Sequence, residues 1–521
     1  MDSEKSFIQT IGEGYTFKGD SIILGGAMIE KTCLIDTLVR IPLKTLNRHG
    51  LIAGATGSGK TKTLQILAEQ LSEKGIPSLV MDMKGDLSGV AVPSEGHPKI
   101  DERHAKIGIP FTPSGSPVEF LSLSDEKGAR LRATVSEFGP VLFSKILGLN
   151  DTQSGIVAIV FKYCDDHDLP LLNLDDFKKT LQYLSNEGKE DLRDEYGLIS
   201  SASVGAIMRK VVELEQQGAE TFFGEISFDV DDLCMVDEEG RGVISIIRLT
   251  DIQDRPKLFS TFMLQILAEI YANFPEEGDV DKPKLVLFID EAHLVFDEAS
   301  DALLDQIEAI IKLIRSKGVG IFFVTQNPTD IPSEVLSQLG MKIQHALRAF
   351  TAKDRKNIKL TAENYPLTDF YDVDAILTEL GIGEALVTAL NEKGIPTPLV
   401  HTLLRAPQSR MDILTDKEID DLIKRSELVS RYNKEVDGES AYEILSEKIE
   451  QARDEEFEME RRRQRDAGRK SSSRRRREKS TFEKIMTNTT TRQIGRTVAR
   501  ELTRGLLGVM GISSTKRRRK R

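Results

Sequence analysis

The fold is decided by one stretch, Gly54-Ala55-Thr56-Gly57-Ser58-Gly59-Lys60-Thr61, which matches the phosphate-binding pattern G-x-x-x-x-G-K-[ST]. Its glycines let the loop curl so that backbone N–H groups point at phosphate oxygens, and the next helix N-terminus adds to the attraction. The pattern assigns Lys60 to the β- and γ-phosphates and the Thr61 hydroxyl to magnesium. An apolar run at 50–53 and helical spacing over 60–73 supply the required strand and helix. The stretch, extended to Lys62, therefore predicts a site for ATP with Mg²⁺.

Two further strands end in polar residues. The apolar run 285–289 leads directly into Asp290 and Glu291. This arrangement places Asp290 at the metal, usually through water, and leaves Glu291 to polarise the attacking water. The run 320–325 leads into Gln326, and open α/β sheets bind ligands at the carboxyl ends of their strands. Gln326 is therefore a candidate sensor of the γ-phosphate or the water, with an ordinary polar turn as the alternative.

Strand-like and helix-like segments alternate along the chain, which predicts an α/β fold with a mainly parallel, doubly wound sheet. Residues 118–235 lack strand periodicity and predict a helical insertion. The predicted divisions are an N-terminal lead-in with short strand-like pieces (1–47), the first part of the ATPase core (48–117), the mostly helical insertion (118–235), the second part of the core (236–407), a charged helical extension (408–465), a disordered Ser/Arg-rich linker (466–480), and a basic amphipathic helix with its tail (481–521).

Composition narrows the class of protein. Charged residues make up 30% of the 521 residues, and no apolar run approaches the roughly 18 residues of a membrane span. The first residues carry no apolar signal core. Cys33, Cys164 and Cys234 have no paired spacing for disulfides or zinc. These features predict a soluble protein of the cytoplasm.

Charge is distributed unevenly. Residues 461–521 hold 22 Lys and Arg against four acids, a net of +18, so residues 1–460 carry −30 of the total of −12. Arg492, Arg496, Arg500 and Arg504 recur every four residues beside an apolar stripe, which predicts a basic amphipathic helix. Such a helix could bind a DNA backbone, lie on an anionic membrane, or dock on the acidic body of its own or a neighbouring subunit.

With these elements placed, the sequence resembles the HerA/FtsK group of P-loop ATPases and is most similar to its bacterial YjgR-like branch. The resemblance covers roughly residues 20–410 and the Gly/Arg-rich end near 496–508. The matching segments are 47–57 (NRHGLIAGATG), 82–89 (DMKGDLSG), 288–293 (FIDEAH), 314–320 (IRSKGVG), 325–328 (TQNP) and 344–350 (QHALRAF).

The resemblance implies a RecA-like core that assembles into a ring, usually a hexamer, with ATP at the subunit interfaces. Rings of this group commonly pull DNA through a central channel. A neighbouring subunit's arginine then completes the site by stabilising charge in the transition state. Arg315 matches that role by position, and Arg348 is the reserve candidate. The alternative is that Arg315 is a solvated cation favoured by the helix dipole.

Two functions remain open from the sequence. The first is a ring-forming ATPase motor that acts on DNA as a translocase or helicase. The second is an oligomeric P-loop ATPase that remodels or regulates a protein partner, which the −30 charge of residues 1–460 favours because phosphate tracks need positive surface. A GTPase is a weaker third candidate, since the sequence lacks an Asn-Lys-x-Asp motif.

Overall fold

The computed structural model describes residues 2–467, except for 254, 279, 297–300, 435 and 437. The predicted linker from residue 468 onward, and the predicted basic helix and tail at 481–521, lie outside the described residues. The described chain forms two units. The first is built from 1–132, 217–222 and 226–435, and the second from 133–216, 223–225 and the residues from 436 onward.

The first unit contains a single 12-stranded sheet. Its strands are β1 (Ser21–Ile29), β2 (Thr32–Pro42), β3 (Gly50–Ala53), β4 (Ser78–Asp82), β5 (Val118–Ser122), β6 (Ala129–Arg130), β7 (Ile244–Arg248), β8 (Leu285–Ile289), β9 (Val319–Thr325), β10 (Met341–Gln344), β11 (Glu384–Thr388) and β12 (Val400–Leu404). They lie in the order β2-β1-β12-β11-β10-β3-β9-β8-β4-β7-β5-β6. Pairing is parallel from β10 to β6 and antiparallel from β10 to β2.

Helices cover the sheet or build the second unit. Those of the first unit are α1 (Asp2–Gly14), α2 (Lys60–Glu73), α3 (Pro98–Ile107), α9 (Pro256–Asn273), α10 (His293–Phe296), α11 (Asp301–Ile314), α12 (Ser333–Leu336), α13 (Ala352–Glu363), α14 (Val373–Glu379), α15 (Asp416–Ile423) and α16 (Glu427–Tyr432). Those of the second unit are α4 (Val135–Ile146), α5 (Asp151–Asp166), α6 (Leu174–Ser185), α7 (Lys189–Glu195), α8 (Ser201–Glu215) and α17 (Ala441–Ala467). Among the described residues, none of these helices combines the length and the apolarity that a membrane span requires.

The centre of the sheet confirms the predicted fold. Every residue of β3, β8 and β9 is buried, as expected for parallel strands that helices cover on both faces. Strand β9 lies between β3, which leads into the phosphate loop, and β8, which leads into Asp290. The three strand ends that carry the predicted site residues are therefore neighbours on the side of the sheet where the parallel strands end.

The second unit is helical because its sequence contains strong helix starts. Helices α4, α5 and α6 each begin with a capping box, in which a side chain before the helix and one in its first turn bond to each other's backbone. Phe143 and Phe177 pack edge-to-face, with ring centroids 4.8 Å apart, inside this unit.

The N-terminal segment differs from the prediction of an extended lead-in over residues 1–47. Residues 2–14 form helix α1, and β1 and β2 are long antiparallel strands at the edge of the sheet. Phe7, Ile11 and Tyr15 recur every four residues and are fully buried, so the helical period was present but was not recognised. The Tyr15 hydroxyl lies 2.8 Å from the Pro398 carbonyl oxygen, to which it donates.

The helical insertion also begins later than the predicted residue 118. Strand β5 pairs in parallel with β7 and belongs to the sheet, and the second unit starts at residue 133. Five residues are too few to distinguish a strand from a helix by periodicity, which explains the difference. The predicted charged extension at 408–465 is divided as well, because α15 and α16 lie in the first unit and α17 in the second.

One prediction concerns the packing of β3 against β9. Gly50 lies opposite Phe322 in the parallel register, and a Cβ atom at Gly50 would lie 2.4 Å from the buried Phe322 ring. We expect Gly50→Ala to lower the free energy of unfolding by about 1–3 kcal/mol and to lower the thermal midpoint. Gly12→Ala in α1 is the matched control, because its added methyl meets nothing within 4 Å and should stabilise the helix. An unchanged midpoint for Gly50→Ala would contradict this packing.

Candidate nucleotide-binding and hydrolysis site

The phosphate loop spans residues 54–59, between the end of β3 and the start of α2. Gly59 has φ of 114°, and Gly54 has φ of 153°. A Cβ atom at Gly54 would lie 2.5 Å from the Cβ of His345, and one at Gly59 would lie 3.3 Å from the Gly383 nitrogen. Side chains at these two positions would therefore collide with the surrounding backbone or force it apart, so the curl of the loop depends on glycine.

Backbone hydrogen bonds fasten this loop to the sheet. The Gly54 N–H donates to the carbonyl of Thr325 at 3.2 Å, and the Ala55 N–H donates to that of Ala346 at 2.8 Å. On its other side, the Ser58 carbonyl accepts from the Gly383 N–H at 3.1 Å. The loop is thus tied to three segments at the carboxyl ends of the strands, and these bonds support its shape.

The lysine of the motif lies inside the loop. The Lys60 ammonium donates to the Gly54 carbonyl at 2.7 Å and to the Ala55 carbonyl at 3.3 Å. Burial lowers the pKa of Lys60, and the nearby Lys84 ammonium acts in the same sense. Thr61 is half-buried in the first turn of α2. The Lys62 ammonium instead donates to the Met411 carbonyl at 2.6 Å, so only the backbone of Lys62 is placed to line the loop.

Asp290 has the properties of a ligand for Mg²⁺. It follows β8 and is 3% exposed, and its Oδ2 atom is buried without a hydrogen-bond partner among the described residues. Burial raises the pKa of Asp290 to about 7, although the nearby Lys84 ammonium opposes this shift. Carboxylate and hydroxyl oxygens suit Mg²⁺, so Asp290 and Thr61 fit this ion. Bound Mg²⁺ supplies charge neutralisation at the β- and γ-phosphates.

Glu291 is held beside Asp290 by a cation. Its backbone adopts the left-handed conformation, with φ of 47°, and its carboxylate forms an ion pair with the Lys84 ammonium. Burial pushes the pKa of Glu291 up, but the hydrogen bond and charge of Lys84, together with the charges of His293 and Lys60, outweigh burial and leave the pKa below its usual value. The His293 ring lies 3.4 Å from the same carboxylate. An ionised carboxylate at this position can accept a proton from water.

Lys84 is the site residue that the sequence analysis missed. It follows β4, the neighbour of β8 in the sheet, within the segment 82–89. The turn is fixed by Asp82, whose carboxylate accepts from the Gly85 N–H at 2.8 Å and from the Leu87 N–H at 3.1 Å. The available signal was this polar run directly after a buried strand, the same signal that identified Asp290 and Gln326.

Gln326 lies against the phosphate loop. It follows β9, and its side-chain oxygen lies 3.4 Å from the Thr56 hydroxyl, which donates to it. Because Gln326 contacts Thr56, a movement of the phosphate loop would move the Gln326 side chain as well. The structure therefore brings together Lys60, Asp290, Glu291 and Gln326 at one edge of the sheet.

The two candidate arginines lie at opposite ends of the parallel strands. Arg315 is exposed and precedes the start of β9, whereas the phosphate loop is at the other end of that strand. Seven residues of strand span roughly 20 Å, so Arg315 cannot reach the site of its own chain. Arg348 is exposed and follows β10 at the same edge as the phosphate loop.

Comparison with known proteins agrees with this geometry. The family model described as helicase HerA-like C-terminal matches residues 29–518. This chain belongs to the HerA-like family. As a member it is an ATP-hydrolysing P-loop enzyme of the HerA/FtsK type, and ATP with Mg²⁺ is its cofactor, as the phosphate loop predicted.

Relatives of this HerA-like ATPase include two archaeal proteins named DNA double-strand break repair helicase HerA. The one from Sulfolobus acidocaldarius is 24% identical over 389 residues, which cover 72% of this chain and 68% of the relative. The one from Sulfurisphaera tokodaii is 26% identical over 369 residues, covering 70% and 66%. The solved structure of the bacterial conjugative coupling protein TrwB, lacking its N-terminal segment, has a TM-score of 0.50 at 14% identity. It covers 78% of this chain and 94% of that protein. This last likeness confirms the predicted RecA-like fold.

One prediction follows from the ion pair of Lys84 with Glu291. Lys84→Met in this HerA-like ATPase should lower kcat for ATP about ten- to hundredfold, because Glu291 loses the cation that positions it and keeps it ionised. Nucleotide affinity should change little, and Lys84→Arg should restore part of kcat. Steady-state hydrolysis and fluorescent-nucleotide binding measure the two effects. A Lys84→Met enzyme with the kcat of the unmodified protein would contradict the role of this pair.

Proposed function

We propose that this chain is an ATP-driven motor that moves along or unwinds DNA as a ring of identical subunits. The observation that carries the proposal is the combination of the assembled site with the match to a helicase family over residues 29–518. Its relatives named as double-strand break repair helicases support DNA as the substrate. A cytoplasmic location is part of this proposal, because Cys33, Cys164 and Cys234 form no disulfide.

In the proposed mechanism, backbone N–H groups of the loop and the Lys60 ammonium hold the triphosphate. Asp290 and Thr61 are the residues that would hold Mg²⁺. Glu291, kept ionised by Lys84, orients the attacking water and accepts its proton. Gln326 detects the γ-phosphate through its contact with the loop at Thr56.

A ring is proposed because Arg315, the arginine that matches the role by position, precedes β9, while the phosphate loop of the same chain lies at the other end of that strand. Arg315 lies at the far edge of the sheet and could only serve the nucleotide of a neighbouring subunit. An arginine supplied in this way is worth roughly 10³–10⁵ in rate in comparable enzymes. Head-to-tail contacts between identical subunits close into rings, which would place Arg315 of one subunit at the site of the next.

The alternative function is the remodelling of a protein partner without nucleic acid. The net charge of −30 on residues 1–460 favours it, because a polyanion such as DNA is repelled by a uniformly acidic surface. The alternative would gain support if a protein bound in a nucleotide-dependent manner while DNA had no effect on hydrolysis.

The substrate is tested by hydrolysis with and without DNA. The assay is run at low salt with duplex DNA and with single-stranded DNA. We expect at least one of the two to stimulate ATP turnover. Lys60→Ala should reduce turnover about a hundredfold or more, because the phosphates lose their cation. Lys74→Ala is the matched control, since Lys74 caps the other end of α2 and pairs with Asp20 at the surface. Turnover that is identical with and without both DNA forms would contradict a DNA motor.

The role of Arg315 is tested by mixing two inactive variants. Arg315→Ala and Glu291→Gln should each lose most hydrolysis alone. When they co-assemble at random, about a quarter of the interfaces pair an intact Glu291 with a neighbour's intact Arg315, so activity should partly return. If Arg315 acted within its own chain, mixing would restore nothing. Arg348→Ala mixed in the same way tests the reserve candidate.

A further inference from the structure

An exposed basic face interrupts the acidic first unit. Residues 348–359 contain five cations and a single acid. The cations are Arg348, Lys353, Arg355, Lys356 and Lys359, and all five are exposed. Within the part of the chain that the structure describes, none of them forms an ion pair. We call the four cations of helix α13, Lys353, Arg355, Lys356 and Lys359, together with Phe350, the α13 basic face.

The single acid of this segment is already engaged. The Asp354 carboxylate accepts from the Thr351 N–H at 2.7 Å and from the Phe350 N–H at 3.0 Å, which starts helix α13. Those backbone bonds lower the pKa of Asp354 and keep it ionised as a cap. The negative charge of Asp354 therefore stabilises the first turn of α13.

Packing fixes which side of α13 faces outward. Ile358 and Thr361 are buried, and Ile358 belongs to a cluster with Leu377 and Leu386. Residues 353, 356 and 359 lie on the opposite side of the helix by their spacing. Lys353, Lys356 and Lys359 thus form one row away from the anchored apolar side, and Arg355, three residues before Ile358, is exposed at the border of that side.

The positions of these cations lower the stability of helix α13. Lys353, Arg355 and Lys356 lie in or next to the first turn, where the helix dipole repels cations. Like charges three or four residues apart also repel one another. The same cations would be stabilised by an external polyanion, whereas the body around them carries a net −30.

An aromatic side chain points to the kind of polyanion. Phe350 is 85% exposed and lies two residues before α13. Exposed aromatic rings between cations stack on nucleobases while the cations bind the backbone. An acidic surface of another subunit would neutralise the cations but would leave this ring unexplained. The face follows β10 at the same edge of the sheet as Glu291 and Gln326.

We propose that the α13 basic face binds DNA, with its cations on the phosphates and Phe350 stacked on a base. This inference rests on the proposed function and adds the surface through which the motor engages its substrate. It identifies a binding surface within residues 348–359 that is separate from the basic tail beyond residue 467.

The experiment compares two full-length variants that each lose four positive charges. The test variant carries Lys353→Gln, Arg355→Gln, Lys356→Gln and Lys359→Gln. The matched control carries glutamine at four exposed lysines elsewhere in the first unit, Lys5, Lys18, Lys99 and Lys393. Both keep the basic tail, so its contribution cancels. Anisotropy of labelled duplex and single-stranded oligonucleotides is measured between roughly 50 and 200 mM salt, beside DNA-free hydrolysis and native mass.

The test variant should bind DNA at least about tenfold more weakly, and its salt dependence should fall by about three in log–log slope. The control variant should match the unmodified protein. DNA-free hydrolysis and mass should be unchanged in both variants. Phe350→Ala should weaken binding of the single strand without changing the salt slope, because it removes stacking and no charge.

Three outcomes would overturn the inference. Equal affinity and slope for the test and control variants would exclude the face as a DNA site. If the test variant formed a smaller oligomer than the unmodified protein but bound DNA equally well per subunit, the face would be a contact between subunits. An unmodified protein that binds no DNA would overturn the proposed function as well, whereas the first two outcomes leave that function intact.

Discussion

The attachment of the phosphate loop to neighbouring strand ends is the constraint on which the rest of the site depends. Gly54 is bonded to the end of β9, and Ala55 to the segment after β10. These backbone bonds make the loop a continuation of the sheet, so the order of the strands decides which side chains meet the phosphates. With β9 between β3 and β8, Gln326 follows the strand that separates the phosphate loop from Asp290. A loop without these anchors would need to be ordered by the nucleotide, at a cost in affinity.

Charge balance is the second organising feature. Lys60, Asp290 and Glu291 are buried, whereas Lys84 is exposed and reaches Glu291 from the surface. Burying unpaired charge is costly, and the ion pair between Lys84 and Glu291 offsets that cost for one of the two carboxylates. The balance is uneven in a useful way: burial raises the pKa of Asp290 to about 7, while Lys84 holds that of Glu291 below its usual value. The carboxylate expected to take the proton is thus ionised, and both carboxylates keep one buried oxygen without a hydrogen-bond partner among the described residues, Oδ2 of Asp290 and Oε2 of Glu291.

The sequence supported prediction wherever the chemistry was local. The phosphate loop, Asp290, Glu291 and Gln326 each lie within a few residues of a strand end, and strand ends of a parallel sheet meet. Lys84 could not be placed against Glu291 because their contact depends on β4 being the neighbour of β8, which strand order alone determines. Helix α1 was not predicted, because the helical spacing of Phe7, Ile11 and Tyr15 rests on only three residues and is followed directly by strand-like runs. Whether an arginine lies at the near or the far edge is likewise a property of topology, and the sequence distance from Arg315 to Gln326 does not reveal it.

Strand β9 lies between Arg315 and Gln326, the two residues proposed to act on neighbouring nucleotides. Its seven residues, Val319–Thr325, are all buried, Gln326 follows its last residue directly, and a 3-10 helix (Arg315–Lys317) with Gly318 precedes its first. In the proposed ring, one straight segment would therefore connect the detector of a subunit's own nucleotide to the cation offered to the next nucleotide. The interior of β9 is packed on all sides, whereas Gly318, with φ of 72°, forms a turn between the strand and Arg315. In such a ring, the strand would couple its two ends, and the turn at Gly318 would decide how far Arg315 can move independently of Gln326.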